Sequence, residues 1–136
     1  MRERGHENCG IVLQSRLWRT PDDIRALADL DPKPNVRLCI GIYPEPESVA
    51  ETHKPAMKQR LLEQLAQMLD LGFYVAIATH DEATIAGART LLAQRGLGPY
   101  RAEFQMLLGV PRAALQRELV AEGWTVRLYI PYGKDW

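Results

Sequence analysis

Val36-Arg37-Leu38-Cys39-Ile40-Gly41-Ile42-Tyr43 is an aliphatic run broken at its second position by one arginine. Its length and its branched residues read as a strand of a parallel sheet covered by helices. Four other runs share that character: Gly10 to Leu17, Phe73 to His80, Ala102 to Gly109 and Trp124 to Pro131. The segments between them carry helical signals. Thr20-Pro21-Asp22-Asp23 supplies an N-cap, a first-turn proline and two acids favoured by the helix dipole, opening a helix through about Leu30 that Lys33-Pro34-Asn35 breaks. From about Pro55 to Leu71, Leu61, Leu62, Leu65, Met68 and Leu69 fall on one helical face and Gly72 ends it. Asp81 caps the next helix, which turns Ile85, Ala88, Leu91 and Leu92 to the sheet and stops near Gly96. Pro111 begins the last, with Leu115, Leu119 and Val120 inward and Gly123 at its end. The expected order is βαβαβαβαβ.

Parallel strands with helical crossovers leave an open doubly wound sheet or part of a closed barrel. A hydrogen-bonding or charged residue interrupts four of the five strands: Gln14, Arg37, Glu103 with Gln105, and Arg127, while His80 closes the remaining one. In an open sheet both faces pack on helices, and an unpaired buried Arg37 is costly. A barrel interior near its carboxy-terminal mouth can use such groups, so the pattern favours an α/β fold of partial (β/α)8 barrel type. Such a barrel takes roughly 200 residues or more. Five strands cannot close one, so the chain is expected to be a fragment, a half completed by another chain, or a degenerate copy with exposed edges. Residues 1–9 are read as a tail and 10–136 as one domain.

Composition narrows the class. With 46% apolar residues and 17 basic against 17 acidic ones, the chain has ordinary globular chemistry and no Lys/Arg run, which argues against nucleic acid. No apolar stretch approaches the roughly 20 residues that span a bilayer, and Met1 to Asn8 lacks the centre of a signal peptide. A cytoplasmic location is expected. Cys9 and Cys39 offer neither metal-ligand spacing nor a disulfide framework.

Five segments taken together resemble the proline dehydrogenase family: Gly10-Ile11-Val12-Leu13-Gln14, Val36 to Tyr43, Ala78-Thr79-His80-Asp81, Glu103-Phe104-Gln105-Met106-Leu107-Leu108-Gly109-Val110, and Val126 to Trp136. The resemblance runs from about residue 10 to the end. It implies a (β/α)8 barrel that binds FAD, oxidises L-proline to Δ1-pyrroline-5-carboxylate and passes electrons to a quinone, with a peripheral place at the inner membrane. By resemblance, Arg37 is the catalytic guanidinium beside flavin N5, where fixed donors stabilise the electron-rich reduced ring. Gln14 and Gln105 correspond to amides bonded to the flavin, and Thr79 and His80 lie where the family places a histidine on the cofactor. Thr52, read as a helix cap, and Lys54 match a pair at the FAD pyrophosphate. Gly41 lets backbone approach the flavin or marks a bulge, and Leu107 matches a wall of the substrate pocket.

The chain departs from the family where Ile40 replaces a lysine and Ile42 a small alanine. Ile42 is expected to crowd the proline site. The family's first strands supply a lysine and an aspartate, and its last helix a tyrosine and two arginines for the substrate carboxylate; none of these falls within this sequence. A truncated remnant without activity, a homo-oligomer, or a half-barrel needing a complementing N-terminal half are the competing expectations.

Overall fold

The structure is a computed structural model that describes residues 6, 8–130, 132 and 133. Strands β1 (Ile11–Gln14), β2 (Val36–Cys39), β3 (Val75–Ala78), β4 (Ala102–Leu107) and β5 (Thr125–Tyr129) alternate with helices α1 (Thr20–Ala28), α2 (Lys54–Asp70), α3 (Glu82–Gln94) and α4 (Ala113–Ala121). All neighbouring strands are parallel and lie in chain order, β1-β2-β3-β4-β5. A doubly wound sheet reverses its order at a switch point. Here the order never reverses, as in the wall of a barrel.

Register sorts the side chains. Leu13, Leu38, Ile77, Phe104 and Val126 align across the sheet on one face, and Val12, Arg37, Ala76, Glu103 and Thr125 align on the other. The first face meets the helices. Val36, Leu38, Val75, Ile77, Ala102 and Phe104 are almost wholly buried there against Ile24, Leu61, Leu65, Met68, Ile85, Leu92 and Leu119. Phe104 also stands edge-on to Trp124, 5.5 Å between ring centres, a geometry that suits the two quadrupoles.

Boundaries differ from the sequence expectations in physically readable ways. Each expected strand is longer than the named strand at one end or both; beyond Gln14 the amides of Ser15 and Arg16 still reach the Cys39 and Ile40 carbonyls, while Thr79 and His80 lie past the end of β3. Thr20 is not the cap of α1; Arg19 precedes the helix, and the Thr20 hydroxyl instead donates to the Gln14 carbonyl at 2.6 Å. Thr52 is not the cap of α2 either. His53 holds that position, Thr52 Oγ1 bonds Glu47 Oε1, and the Glu51 carboxylate takes the amides of Thr52 and His53. Helix α1 stops at Ala28, α4 starts at Ala113 rather than Pro111, and Val120 is exposed rather than inward. The tail proposed at residues 1–9 and the strand end at Pro131 lie partly outside the described residues, as do Lys134 to Trp136.

The stops at Gly72 and the cap at Asp81 are as read. Gly72 has φ 82°, a left-handed conformation that residues with a Cβ adopt at a cost. Asp81 accepts from the Thr84 amide at 2.9 Å and its hydroxyl at 2.7 Å, and pairs with Lys58 across the α2–α3 seam. The hydrogen bonds from Lys58 and Thr84 hold the Asp81 carboxyl down at about 2. A depressed carboxyl stabilises the fold above its unfolded value, and that contribution disappears as pH falls through the folded value. Asp81→Ala is therefore expected to cost about 1–2 kcal/mol near neutrality in urea unfolding, and the gap to the native chain should close between about pH 4 and about pH 2. A gap that does not change with pH would remove the carboxylate from this role.

Candidate functional site

The second face of the sheet is concave and carries the polar residues. Gln14, Cys39, Ala78, Gln105 and Arg127 share one level across the strands, one step above Val12, Arg37, Ala76, Glu103 and Thr125. Because strand side chains alternate, Arg37, Gln14, Gln105, Glu103 and Arg127 all project to the same side. All of these but Gln14 line a cavity of about 440 Å³, together with Val12 and Ala76 among others. Asn35 and Tyr74 also line it, so the cavity reaches toward the amino ends of the strands and sits lower than the mouth expected from sequence.

A chain of hydrogen bonds joins these groups. Arg37 Nε donates to Gln105 Oε1 at 3.0 Å, Gln105 Nε2 donates to Glu103 Oε1, and Arg127 grips Glu103 through Nε and a terminal nitrogen at 2.8 and 2.9 Å. Tyr74 donates its hydroxyl to Glu103 Oε2 at 3.2 Å. The Arg37 guanidinium also lies over the Tyr129 ring, 4.9 Å from its centre, a cation–π contact. Hydrogen bonds from Arg127 keep Glu103 below the usual carboxylate range despite its burial, and the same pair raises Arg127. Burial first, then Glu103, pushes the Tyr74 hydroxyl up.

Around this centre the other candidate residues separate into groups. Gln14 packs its amide over Gly41, whose φ is 101°; a Cβ there would lie 2.1 Å from Gln14 Oε1. The left-handed backbone calls for glycine here, and a Cβ would also displace the Gln14 amide. Gln14 Oε1 is buried and has no hydrogen-bond partner among the described residues. His80 lies just past β3, where its Nε2 accepts the Leu107 amide at 2.7 Å. That bond makes Nε2 the acceptor and leaves Nδ1 as the donor of a neutral ring. Burial, with Arg112 nearby, lowers the His80 pKa and favours this form. Leu107 follows Gln105 on the same face and is partly exposed.

Thr79 is held apart. It takes the helix-facing phase, is 7% exposed, and its hydroxyl accepts the Asp81 amide at 3.2 Å. Thr52 and Lys54 lie exposed where the β2–α2 connection enters the helix, and neither bonds to the polar face. Ile42 is 87% exposed, so it does not crowd anything within this chain. Sequence reasoning noted Glu103 as an interruption of its strand without giving it a role. Its two-residue spacing from Gln105 was the available signal, since both must face the same way.

The family model described as "Proline dehydrogenase" matches residues 1–135. The chain belongs to the proline dehydrogenase family. It is 43% identical over 134 residues to a proline dehydrogenase of Deinococcus radiodurans, and 41% identical over 130 residues to proline dehydrogenase 1 of Bacillus subtilis. These alignments cover 98% and 96% of this chain, which spans 42% of the length of each relative. Among solved structures it resembles proline utilization A (PutA) of Bdellovibrio bacteriovorus inactivated by N-propargylglycine, with a TM-score of 0.82 at 24% identity, covering 93% of this chain and 15% of that one. PutA of Bradyrhizobium japonicum gives a TM-score of 0.81 at 22% identity, covering 96% and 15%. The fold of this family chain is the parallel α/β wall seen in those larger proteins.

Gly41→Ala tests the packing at the polar face. Left-handed backbone and a direct collision with Gln14 together should destabilise the chain by about 1–3 kcal/mol in urea unfolding. If stability is unchanged, the Gln14 amide does not rest on Gly41.

Proposed function

We propose that this chain forms the flavin-facing part of an FAD-dependent enzyme that oxidises L-proline to Δ1-pyrroline-5-carboxylate in proline metabolism. The observation that carries the reading is that Arg37, Gln14 and Gln105 rise from one face of the sheet, where Arg37 and Gln105 are hydrogen-bonded, together with membership of the proline dehydrogenase family. The donors and acceptors suit a flavin ring. The unpartnered Gln14 Oε1 is a buried acceptor of the kind a ring N–H satisfies, and leaving it bare costs about 1–3 kcal/mol. A bound flavin supplies a hydride acceptor, which proline chemistry needs and no side chain provides.

The chain's own residues have separable tasks in this reading. Arg37 offers a fixed positive charge where electron density collects during reduction, so that it favours the reduced state more than the oxidised one. Gln14 and Gln105 orient the ring, and His80 presents its Nδ1 proton as a further donor. Leu107 supplies an apolar wall beside the substrate. Gly41 serves by letting Gln14 take its position. Thr52 and Lys54, at the entrance to α2, are assigned to the pyrophosphate, and Thr79 acts at the cofactor only through the Asp81 turn it holds. A bound FAD would supply the electron carrier between proline and a quinone acceptor, and a cytoplasmic protein peripheral to the inner membrane suits that acceptor. Among the described residues no helix is long and apolar enough to cross a membrane.

A second reading adds a partner. The outer edges of β1 and β5 pair with no strand among the described residues, and Ile11, Val12, Leu128 and Tyr129 are each at least 40% exposed there. A complementing half that supplies the remaining strands would cover both edges, and a second copy of the chain is the alternative occupant.

The visible spectrum tests the function. The purified chain is expected to be yellow, or to become so with FAD, and to bleach when proline is added without oxygen; a protein that stays colourless after incubation with FAD overturns the assignment. If colour appears but bleaching requires the complementing half, the second reading holds. In a proline-reducible sample, Arg37→Met should slow flavin reduction by about 10²-fold and lower the flavin potential. Unchanged reduction kinetics would retire the role of Arg37.

A further inference from the structure

We infer that Glu103 is a positioning residue for Arg37, acting through the Gln105 amide. This rests on the reading of Arg37 as the cationic donor of the site, but the geometry behind it lies within the chain. A glutamine side chain can present either end, since its carbonyl and its NH2 are nearly the same shape and only the hydrogen-bond partners decide between them. Arg37 Nε is a donor and can be held only by the carbonyl, which it meets at 3.0 Å. Tyr129 supports the face of the guanidinium, and what faces the other end of Gln105 decides whether Arg37 Nε keeps its hydrogen bond.

Glu103 supplies that decision. It precedes Gln105 by two residues on β4, so both side chains rise from the same face, and its Oε1 accepts from Gln105 Nε2. An ionised carboxylate accepts and never donates, so it tolerates the NH2 end and rejects the carbonyl. The Glu103 side chain is only 6% exposed, yet the two-pronged grip of Arg127 and the Tyr74 hydroxyl fix it as the acceptor-only form. Arg127 takes up both carboxylate oxygens without reaching Gln105 itself. The order of dependence runs from Arg127 to Glu103, to Gln105, to Arg37. Glu103 touches neither substrate nor cofactor in this scheme; it sets the pose of the group that does.

The test reads Arg37 directly. In ¹H–¹⁵N spectra of the full 136-residue chain without FAD, the Arg37 Nε–H resonance is identified by its loss in Arg37→Met. Glu103→Gln keeps the shape but can accept or donate, which frees Gln105 to turn, so the resonance should move and its proton should exchange about ten-fold faster. Gln105→Leu should do the same, and Glu103→Gln added to Gln105→Leu should change little more, because the two act in series. Phe104→Leu, on the opposite face of the same strand, should lower stability and leave the resonance in place, which separates positioning from general loosening. Glu103→Asp, charged but shorter, serves if the amide variant does not fold and should move the resonance in the same direction by less.

An Arg37 resonance that stays put in Glu103→Gln or in Glu103→Asp, while Gln105→Leu moves it, overturns the inference. In the FAD-loaded chain, Glu103→Gln should also lower the flavin potential toward that of Arg37→Met. A resonance that responds as described in a chain that binds no flavin sustains the positioning role of Glu103 and removes the flavin reading instead.

Discussion

Everything in this chain depends on the register of its parallel strands. Leu38, Ile77 and Phe104 stand side by side on one face, and Arg37, Ala76 and Glu103 on the other. Side chains alternate with a period of two, so a slip of one residue in any strand would send its charges under the helices and its aliphatics into the cavity. The full burial of Val36, Leu38, Val75 and Ile77 against the helices makes that slip expensive, at roughly 1.5–3 kcal/mol per large side chain exposed. The hydrophobic layer therefore aims the polar one. Arg37 faces the cavity because Val36 and Leu38 must face the helices.

Given that register, the polar face organises itself around the carboxylate of Glu103. A buried carboxylate is costly unless paired and hydrogen-bonded, and here Arg127, Gln105 and Tyr74 fill its acceptor positions. The charges leave the region close to balanced, with Arg37 as the positive group whose guanidinium rests on a glutamine and an aromatic ring rather than on an acid. An arginine committed to a carboxylate is partly neutralised. One held by neutral partners keeps its charge for whatever enters the cavity, which is why Arg37 and not Arg127 suits a developing negative charge.

The sequence made the main lines of the fold readable because the relevant signals are local. Five aliphatic runs, helical faces such as Leu61, Leu65 and Met68, the Asp81 cap and the Gly72 stop are all set by residues within a few positions of one another. The expectations that failed were those in which a distant acceptor competed. Thr20 was drawn to the Gln14 carbonyl and Thr52 to Glu47, and each left the cap it would have made on local chemistry alone. Thr79 differs: its hydroxyl accepts the amide of Asp81 two residues on, and its helix-facing phase keeps it off the cavity side of the sheet.

For the candidate site, the sequence alone determined which residues could share a face: Gln14, Arg37, Gln105 and Arg127 carry the right phase in their strands, and phase is a property of spacing. Only the tertiary structure decided which of them touch. Arg37 and Gln105 are 68 positions apart and Tyr74 and Glu103 are 29 apart, and no local rule links such pairs. Sequential strand order and common register bring them within hydrogen-bonding distance, turning a strand interruption at Glu103 into the centre of a network. Chain-local energies fix elements and phases; contacts across the sheet come from the packing that sets one strand against the next.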